Sequence, residues 1–253
     1  MLGLGNSLIS GTTSEQLYSV VFDGTGDYID MNDVLDLGEE DFSISLWFKC
    51  SDTTNQRLFT KYQDANNEIR LATNATDKIH WKVVSSVSGG NEIICNFAGG
   101  KGLDGTDGGD DLQGTWIHLC VTADRDGNGA IYVNGVTTNY GKSATALGRE
   151  GDNLDNSGKW YVGKLGSNYV TGNIDEVAIW NVPLDSDAVN AVYNSGTPFD
   201  LTSDRGNYDN SSSLQGYWRM DDGSGLRVTD SVGSNDGTLT NDAAFSTDTP
   251  PDD

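Results

Sequence analysis

The stretch Phe42-Ser-Ile-Ser-Leu-Trp-Phe48 alternates strictly between two kinds of side chain. Large apolar residues occupy its even positions, while Ser43, Ser45 and Trp47 occupy the odd ones. Successive side chains of a β-strand point to opposite faces, so this period of two predicts a strand with one apolar face. A helix would instead repeat its apolar residues every three to four positions.

Short apolar runs of the same kind recur along the chain, about ten to fifteen residues apart. Examples are Tyr18–Phe22, Trp116–Ala123 and Ile174–Trp180, and Gly, Asn and Asp residues separate the runs. This spacing favours antiparallel strands over alternating strands and helices. We therefore predict an all-β fold, and the length of 253 residues fits one large domain or two small ones.

The charge excludes several classes of partner. The chain has 15 Lys and Arg residues against 38 Asp and Glu residues, a formal charge of −23. Nucleic-acid binding needs a basic footprint, and anionic lipid also repels an acidic surface. No apolar stretch approaches the roughly 18 residues that a membrane span needs. We expect neither nucleic-acid binding nor membrane insertion.

One short helix is predicted near residue 190. Asp185 can cap its first turn, and Val189, Val192 and Tyr193 share one face at helical spacing. Gly196 supplies a stop signal. Two polar stretches, 99–111 and 141–157, predict long exposed loops instead.

The cysteines Cys50, Cys95 and Cys120 are odd in number and form no CxxC pair. This pattern argues against a disulfide framework and predicts reduced thiols in the core. The opening residues 1–8 contain no basic segment and no long apolar segment. We therefore expect no signal peptide, and folding in a reducing cytoplasm.

A family resemblance emerges from several segments taken together. Residues 20–30, which contain Val20-Val-Phe-Asp-Gly, resemble the opening strand pair of the laminin-G-like jelly roll, a family within the concanavalin A-like lectin/glucanase superfamily. Later strands of that family resemble, in the same order, residues 41–48, 115–121, 130–136 and 172–180. The resemblance implies an antiparallel jelly-roll β-sandwich with one short helix.

Residues 214–240 resemble the segment that commonly precedes the Phe-Asp-Gly strand in this family, although here they follow it. Either they close the sandwich from the C-terminal side, or they begin an incomplete second copy. A lone strand pair has no core of its own, which favours closure. The expected organisation is an N-terminal arm (1–16), the jelly roll (17–245) and a polar tail (246–253).

Three aspartates are candidate metal ligands. By strand parity Asp175 shares a face with Val177 and Ile179, so an inward face would bury its carboxylate. Asp23 and Asp27 flank a glycine turn that could supply carboxylate and carbonyl oxygens, which suit Ca²⁺. The resemblance implies a structural calcium ion held by Asp23, Asp27 and Asp175. Alternatively, Asp23 and Asp27 only shape a turn and Asp175 caps neighbouring amides.

A second calcium candidate is weaker. Asp124-Arg-Asp-Gly-Asn-Gly129 imitates the start of an EF-hand loop, but Gly135 stands where the bidentate Glu belongs. The segment lies between two predicted strands, so a hairpin turn is favoured. The Gly- and Asp-rich stretch 99–111 could hold a cation, although a solvated loop is the simpler interpretation.

Nothing in the sequence predicts a catalytic centre. Both histidines, His80 and His118, fall inside predicted strands. The superfamily's glycosidases carry a Glu-x-Asp-x-x-Glu type of pattern that this chain lacks. We expect a protein that is not an enzyme, with glycoside hydrolase as the alternative. Five aromatic residues could contact sugars but are more typical of core packing: Trp47, Tyr62, Trp81, Trp160 and Tyr169.

The opening Met1–Leu8 resembles the start of virion proteins from marine tailed bacteriophages, which often carry laminin-G-like domains. This resemblance implies a virion structural or adhesion protein, made in host cytoplasm and extracellular after release. Its partners would be other virion proteins or further copies of the chain, with cell-surface glycans as ligands. The alternative is a carbohydrate-binding lectin without a structural role.

Overall fold

The computed structural model describes residues 16–76, 78–85, 103, 105, 111–137 and 151–251, and the backbone of 92–96 and 142–146. In chain order the strands are β1 (Ser19–Asp23), β2 (Tyr28–Asp30), β3 (Phe42–Cys50), β4 (Arg57–Asp64), β5 (Asn67–Thr73), β6 (Ile79–Val84), β7 (Glu92–Asn96), β8 (Ile117–Ala123) and β9 (Asn128–Val133). They continue as β10 (Lys142–Ala146), β11 (Lys159–Val162), β12 (Lys164–Leu165), β13 (Asn168–Tyr169), β14 (Thr171–Trp180), β15 (Leu214–Trp218), β16 (Arg227–Val228), β17 (Gly237–Thr240) and β18 (Ala244–Ser246).

These strands form two antiparallel sheets that pack as a sandwich, as predicted. The first sheet runs β10-β9-β8-β3-β14-β1-β18, and β15 also pairs with β14. The second sheet runs β16-β17-β2-β11-β4-β5-β6-β7, while β12 and β13 form a small separate ribbon. The core between the sheets draws large side chains from both, including Phe48 and Ile174 of the first and Trp81 and Trp160 of the second.

A single α-helix among the described residues, α1 (Ser186–Tyr193), covers the outer face of the first sheet. Asp185 caps it as predicted, accepting hydrogen bonds from the backbone amides of Asp187 (3.0 Å) and Ala188 (2.8 Å). The helix ends at Asn194, which adopts the left-handed conformation, before the predicted stop at Gly196. None of the described helices is long and apolar enough to cross a membrane.

The prediction of a loop over 141–157 is wrong in part, because residues 142–146 form β10 against β9. Their Lys-Ser-Ala-Thr-Ala sequence has no large apolar face, so periodicity did not reveal an edge strand. The predicted hairpin turn at Asp124–Gly129 is confirmed, since it joins β8 to β9. Most of 99–111 lies outside the described residues.

Two of the three cysteines are described by their side chains. Cys50 and Cys120 are buried and free, as expected for reduced core thiols. Burial raises the pKa of Cys50 to about 12, so its thiol stays protonated and unreactive at neutral pH. The side chain of Cys95 lies outside the described residues.

The C-terminal segment contributes strands to both sheets. β15 pairs with β14 and β18 pairs with β1, while β17 pairs with β2 in the second sheet. Beyond β18, Asp248 forms an ion pair with Lys49 (2.8 Å) and accepts a hydrogen bond from the indole of Trp116 (3.2 Å). Residues 214–248 are therefore part of the sandwich rather than the start of a second one.

The close approach of β3 to β14 generates a first testable prediction. Gly172 has φ +138°, and a Cβ at this position would collide with the Lys49 carbonyl oxygen. We expect Gly172→Ala to lower the free energy of unfolding by about 3 kcal/mol or more, measured by urea denaturation.

Gly206→Ala is the matched control. Gly206 also has positive φ (+60°), but no atom lies within 4 Å of the position that an added methyl group would take. Gly206→Ala should lower the free energy of unfolding only by the backbone strain, about 1 kcal/mol. Equal destabilisation by the two variants would contradict the packing explanation.

Candidate functional site

The structure does not bring the three predicted metal ligands together. Asp23 pairs with Thr171 at one end of β1, whereas the register of β1 with β14 places Asp175 four residues further along, about 13 Å away. The two oxygens of Asp27 accept hydrogen bonds from the amides of Asp23 (3.1 Å) and Asp242 (2.9 Å). The described residues contain no group of three metal-binding side chains. Asp23, Asp27 and Asp175 thus do not fit one calcium shell, and calcium binding stays a prediction.

Asp175 is fully buried, but its surroundings differ from the expected ones. The expectation that it shares a face with Val177 is wrong, because a bulge interrupts β14 between Asp175 and Ala178. Asp175 pairs instead with Trp47, whose ring packs against Tyr193 of α1 outside the inter-sheet core. Directly paired residues share a face, so Asp175 belongs to the helix-covered side of the sheet.

The bulge lies where β14 changes partner. β1 pairs with residues 171–174 of β14, and β15 pairs with residues from Val177 onward. The side-chain amide of Gln16 occupies the junction, 3.0 Å from both Asp175 carboxylate oxygens and 2.9 Å from the Arg219 carbonyl oxygen. Gln16 therefore connects β1, β14 and the end of β15.

Glu176 is the bulged residue. Its φ of +50° is left-handed, which is uncommon for a residue other than glycine. Its carboxylate is 3.3 Å from Arg219 Nε and accepts a hydrogen bond from the Tyr217 hydroxyl. Burial raises the pKa of Glu176 to about 8, although the charge of Arg219 opposes this shift. Burial, with the adjacent Glu176 charge, also raises the pKa of Asp175 well above its usual range.

A small cavity beside Glu176 has room for about one water molecule, at roughly 10 Å³. Ser45 and Trp47 line it, and Ser45 Oγ lies 2.8 Å from His118 Nε2. Burial lowers the pKa of His118 to about 3, which keeps the ring neutral. Within the described part of the chain His118 Nδ1 has no hydrogen-bond partner, so no carboxylate there orients the ring as a serine hydrolase requires. This cavity is too small to admit a sugar ring.

The outer face of the second sheet presents a different kind of surface. Among the described residues, the only α-helix packs on the other sheet. A cross-strand row of residues that point away from the inter-sheet core crosses seven strands of this face, a span of about 29 Å. Thr60, near its middle, is fully buried and donates its hydroxyl to the Lys164 carbonyl oxygen (2.8 Å). In order across the sheet the row contains Arg227, Thr238, Asp30, Tyr161, Thr60, Arg70 and Lys82.

Aromatic rings and cations alternate around this row. Tyr62 is 38% exposed and pairs with Lys159. The rings of Tyr28 and Tyr161 meet edge to face, with centroids 5.5 Å apart. The ammonium group of Lys164 lies 3.8 Å from the Tyr28 centroid and 5.1 Å from that of Tyr161. Rings of this kind can pack on the C–H faces of a sugar while nearby polar groups bind its hydroxyls.

Sequence reasoning found only one residue of this face, Tyr62. Of the other aromatic candidates, Trp47, Trp81 and Trp160 are buried, and Tyr169 is half-buried in the small ribbon. The sequence pattern that could have revealed this face is the alternation of Glu68, Arg70 and Ala72 with apolar neighbours in β5. That alternation identifies an outer face, but the assembly of seven strands into one row depends on the sheet order.

Comparisons with known proteins agree with this architecture. Residues 23–190 match the family model described as the concanavalin A-like lectin/glucanases superfamily. No curated protein sequence matches the chain significantly. A proposed carbohydrate-binding protein from Bacteroides ovatus has a similar structure, with a TM-score of 0.60 and 19% identity over 92% of this chain. The chain spans 61% of that protein's length.

A second similar structure is a heptameric SAP-like pentraxin from Limulus polyphemus, with a TM-score of 0.51 and 14% identity. The match covers 70% of this chain and 82% of the pentraxin. At these identities both likenesses establish the fold and nothing more specific.

The buried carboxylate Glu176 makes stability depend on pH. Its folded pKa of about 8 exceeds its ordinary value of 4.5, so the folded state holds this proton more tightly than the unfolded state does. The stabilisation is full below pH 4.5 and is lost as the pH rises towards 8, with a slope of up to about 1.4 kcal/mol per pH unit. We expect Glu176→Gln, which cannot ionise, to lose most of this slope in urea denaturation series.

The control is Asp209→Asn, which removes one charge from an exposed position. It should keep the wild-type slope. A residual slope in Glu176→Gln is expected from Asp175, whose raised pKa acts in the same direction. Identical slopes for wild type and Glu176→Gln would contradict the assignment of this pH dependence to Glu176.

Proposed function

Because the chain belongs to the concanavalin A-like lectin/glucanase superfamily, we propose that it is a non-enzymatic glycan-binding protein of a virion, with a structural or adhesive role. The observation that carries glycan binding is the outer face of the second sheet. Tyr28, Tyr62 and Tyr161 lie there beside the hydroxyl-bearing row residue Thr238. The Tyr62 ring is exposed, and the Tyr28 and Tyr161 rings are half-buried, so part of each can meet a ligand.

Binding is favoured over hydrolysis by the positions of the carboxylates. A glycosidase needs two carboxyl groups about 5 to 10 Å apart on either side of the scissile bond. The adjacent pair with raised pKa values, Asp175 and Glu176, is buried beneath the helix-covered face. On the second sheet, the carboxylates Asp30 and Glu68 are held in ion pairs with lysine and arginine side chains. We propose that neither pair acts on a substrate.

The virion role is supported by the resemblance of residues 1–8 to phage virion proteins. The free buried thiols Cys50 and Cys120 are consistent with assembly in a reducing host cytoplasm before release. Partners would then be other virion proteins or copies of this chain, and the glycan face would contact a cell surface.

Glycan-array binding tests the proposed activity. We expect the wild-type chain to bind a subset of glycans, and the double variant Tyr62→Ala, Tyr161→Ala to bind them at least about tenfold more weakly, since stacking area is lost. Tyr18→Ala removes a tyrosine that packs against Phe245 of the first sheet, and it should leave binding unchanged.

Three results would count against the proposal: no glycan bound, equal losses in all tyrosine variants, or release of reducing ends from polysaccharides at enzymatic rates. The virion role has a separate test, mass spectrometry of purified particles. Recovery of the chain only from soluble host extract would contradict that role and leave glycan binding standing.

A further inference from the structure

Two oppositely charged side chains lie among the tyrosines on the outer face of the second sheet. Lys159 Nζ is 2.7 Å from Asp30 Oδ2, and the two side chains are 42% and 22% exposed. A ligand can therefore reach both groups. The ion pairs of Glu68 with Arg70 and Lys82 on the same face are less accessible, because only 3% of the Glu68 side chain is exposed.

The ion pair of Lys159 with Asp30 keeps hydrogen-bonding capacity for a ligand. Among the described residues, Asp30 Oδ2 is the one acceptor for the Lys159 ammonium group, which has three N–H bonds. The hydrogen bond to Asp30 raises the pKa of Lys159, so these donors persist at neutral pH. Asp30 Oδ1 accepts a hydrogen bond from the Asn32 amide (2.9 Å), and each carboxylate oxygen can accept one more. The pair thus presents donors and acceptors side by side.

A tyrosine ring stands on each side of the ion pair. Tyr62 is directly paired with Lys159 across β4 and β11, and Tyr161 is directly paired with Asp30 across β11 and β2. Directly paired side chains have Cβ atoms about 5 Å apart. Thr238 pairs with Asp30 on its other side and adds an exposed hydroxyl group. Apolar and polar surface therefore alternate over the size of a short oligosaccharide.

Neighbouring groups hold the Tyr161 ring in place before any ligand arrives. The ring meets that of Tyr28 edge to face, and the Lys164 ammonium group lies over both rings. The backbone of Lys164 is tied to the sheet by the hydrogen bond from the Thr60 hydroxyl. A side chain that is ordered in advance loses little conformational entropy when a ligand packs on it.

We infer that Asp30 and Lys159 bind two neighbouring hydroxyl groups of one sugar, a vicinal diol, within a neutral glycan. This inference rests on the proposed glycan-binding function. Neighbouring hydroxyl oxygens of a sugar are separated by about the distance between Lys159 Nζ and Asp30 Oδ2. Lys159 therefore donates a hydrogen bond to one hydroxyl while Asp30 accepts one from the other. The C–H face of the same sugar packs on the Tyr62 ring. Because the two charges cancel, the pair favours a neutral sugar over an anionic one.

Neutral polysaccharides that differ only in linkage provide the test. Inner residues of β-(1→4)-linked glucan, xylan, galactan and mannan keep a vicinal diol at C2 and C3, whereas the β-(1→3)-linked polymers of the same sugars have none. We expect the (1→4)-linked member of at least one pair to bind about tenfold or more tightly than its partner. Equal binding within every pair overturns the inference. The proposed function survives that result if any glycan on the array is bound.

Lys159→Met and its matched control Lys49→Met separate this site from general effects of charge. Each variant removes the ammonium group from an exposed ion pair with an aspartate, Asp30 on the second sheet or Asp248 beside the first. Exposed ion pairs add little to stability, so both variants should fold. Lys159→Met should weaken binding of the preferred polymer about tenfold and bring the ratio within its pair towards one, since donors to the diol are lost. Lys49→Met should change neither quantity, and equal effects of the two variants overturn the inference.

Salt provides a second measurement on the wild-type chain, which decides the question even if Lys159→Met does not fold. Binding of a neutral glycan should change less than about twofold between about 0.15 M and about 1 M salt, because no net charge is screened. A loss of about tenfold or more over this range would indicate an anionic ligand and overturn the inference.

Discussion

The hydrogen bond from the Gln16 side-chain amide to the buried Asp175 carboxylate stabilises the first sheet at the place where one edge of β14 has no partner strand. β14 is the central strand of that sheet, yet one of its edges is shared by two strands in succession, β1 and then β15. Neither strand covers Asp175 or Glu176, so the ladder is interrupted there. Buried polar groups need partners, and Gln16 supplies them by reaching Asp175 together with the carbonyl oxygens of Tyr18 and Arg219.

The same junction explains why the pKa values of Asp175 and Glu176 are raised. Burial disfavours the charged form of each, and the charge of Glu176 further disfavours ionisation of Asp175. Arg219 offsets part of this cost, since its guanidinium faces both Glu176 and Asp221. A buried acidic pair is often an indication of chemistry, but here the covering helix and the cavity of about 10 Å³ leave no room for a substrate. The raised pKa values of Asp175 and Glu176 therefore follow from the way β1 and β15 meet along β14.

Much of the sandwich could be predicted from local sequence, because local patterns determine strands and caps. The alternation at 42–48 corresponds to β3, and Asp185 caps α1 as its side chain allows. The bulge at Glu176 could not be predicted, since left-handed backbone is normally reserved for glycine and the sequence shows none there. That single bulge reverses the parity on which the metal-ligand hypothesis for Asp175 depended.

The outer face of the second sheet could not be predicted from the sequence for a different reason. Its residues come from strands as distant in the chain as those of Tyr28 and Arg227, and only the sheet order places them on one face. Screening then allows this row to act locally within an acidic protein. At about 0.15 M salt the Debye length is roughly 8 Å, so a ligand in contact with this face meets the side chains of the face more strongly than the net charge of −23. At low salt the net charge of −23 would act over a longer range and would dominate the approach of any charged ligand.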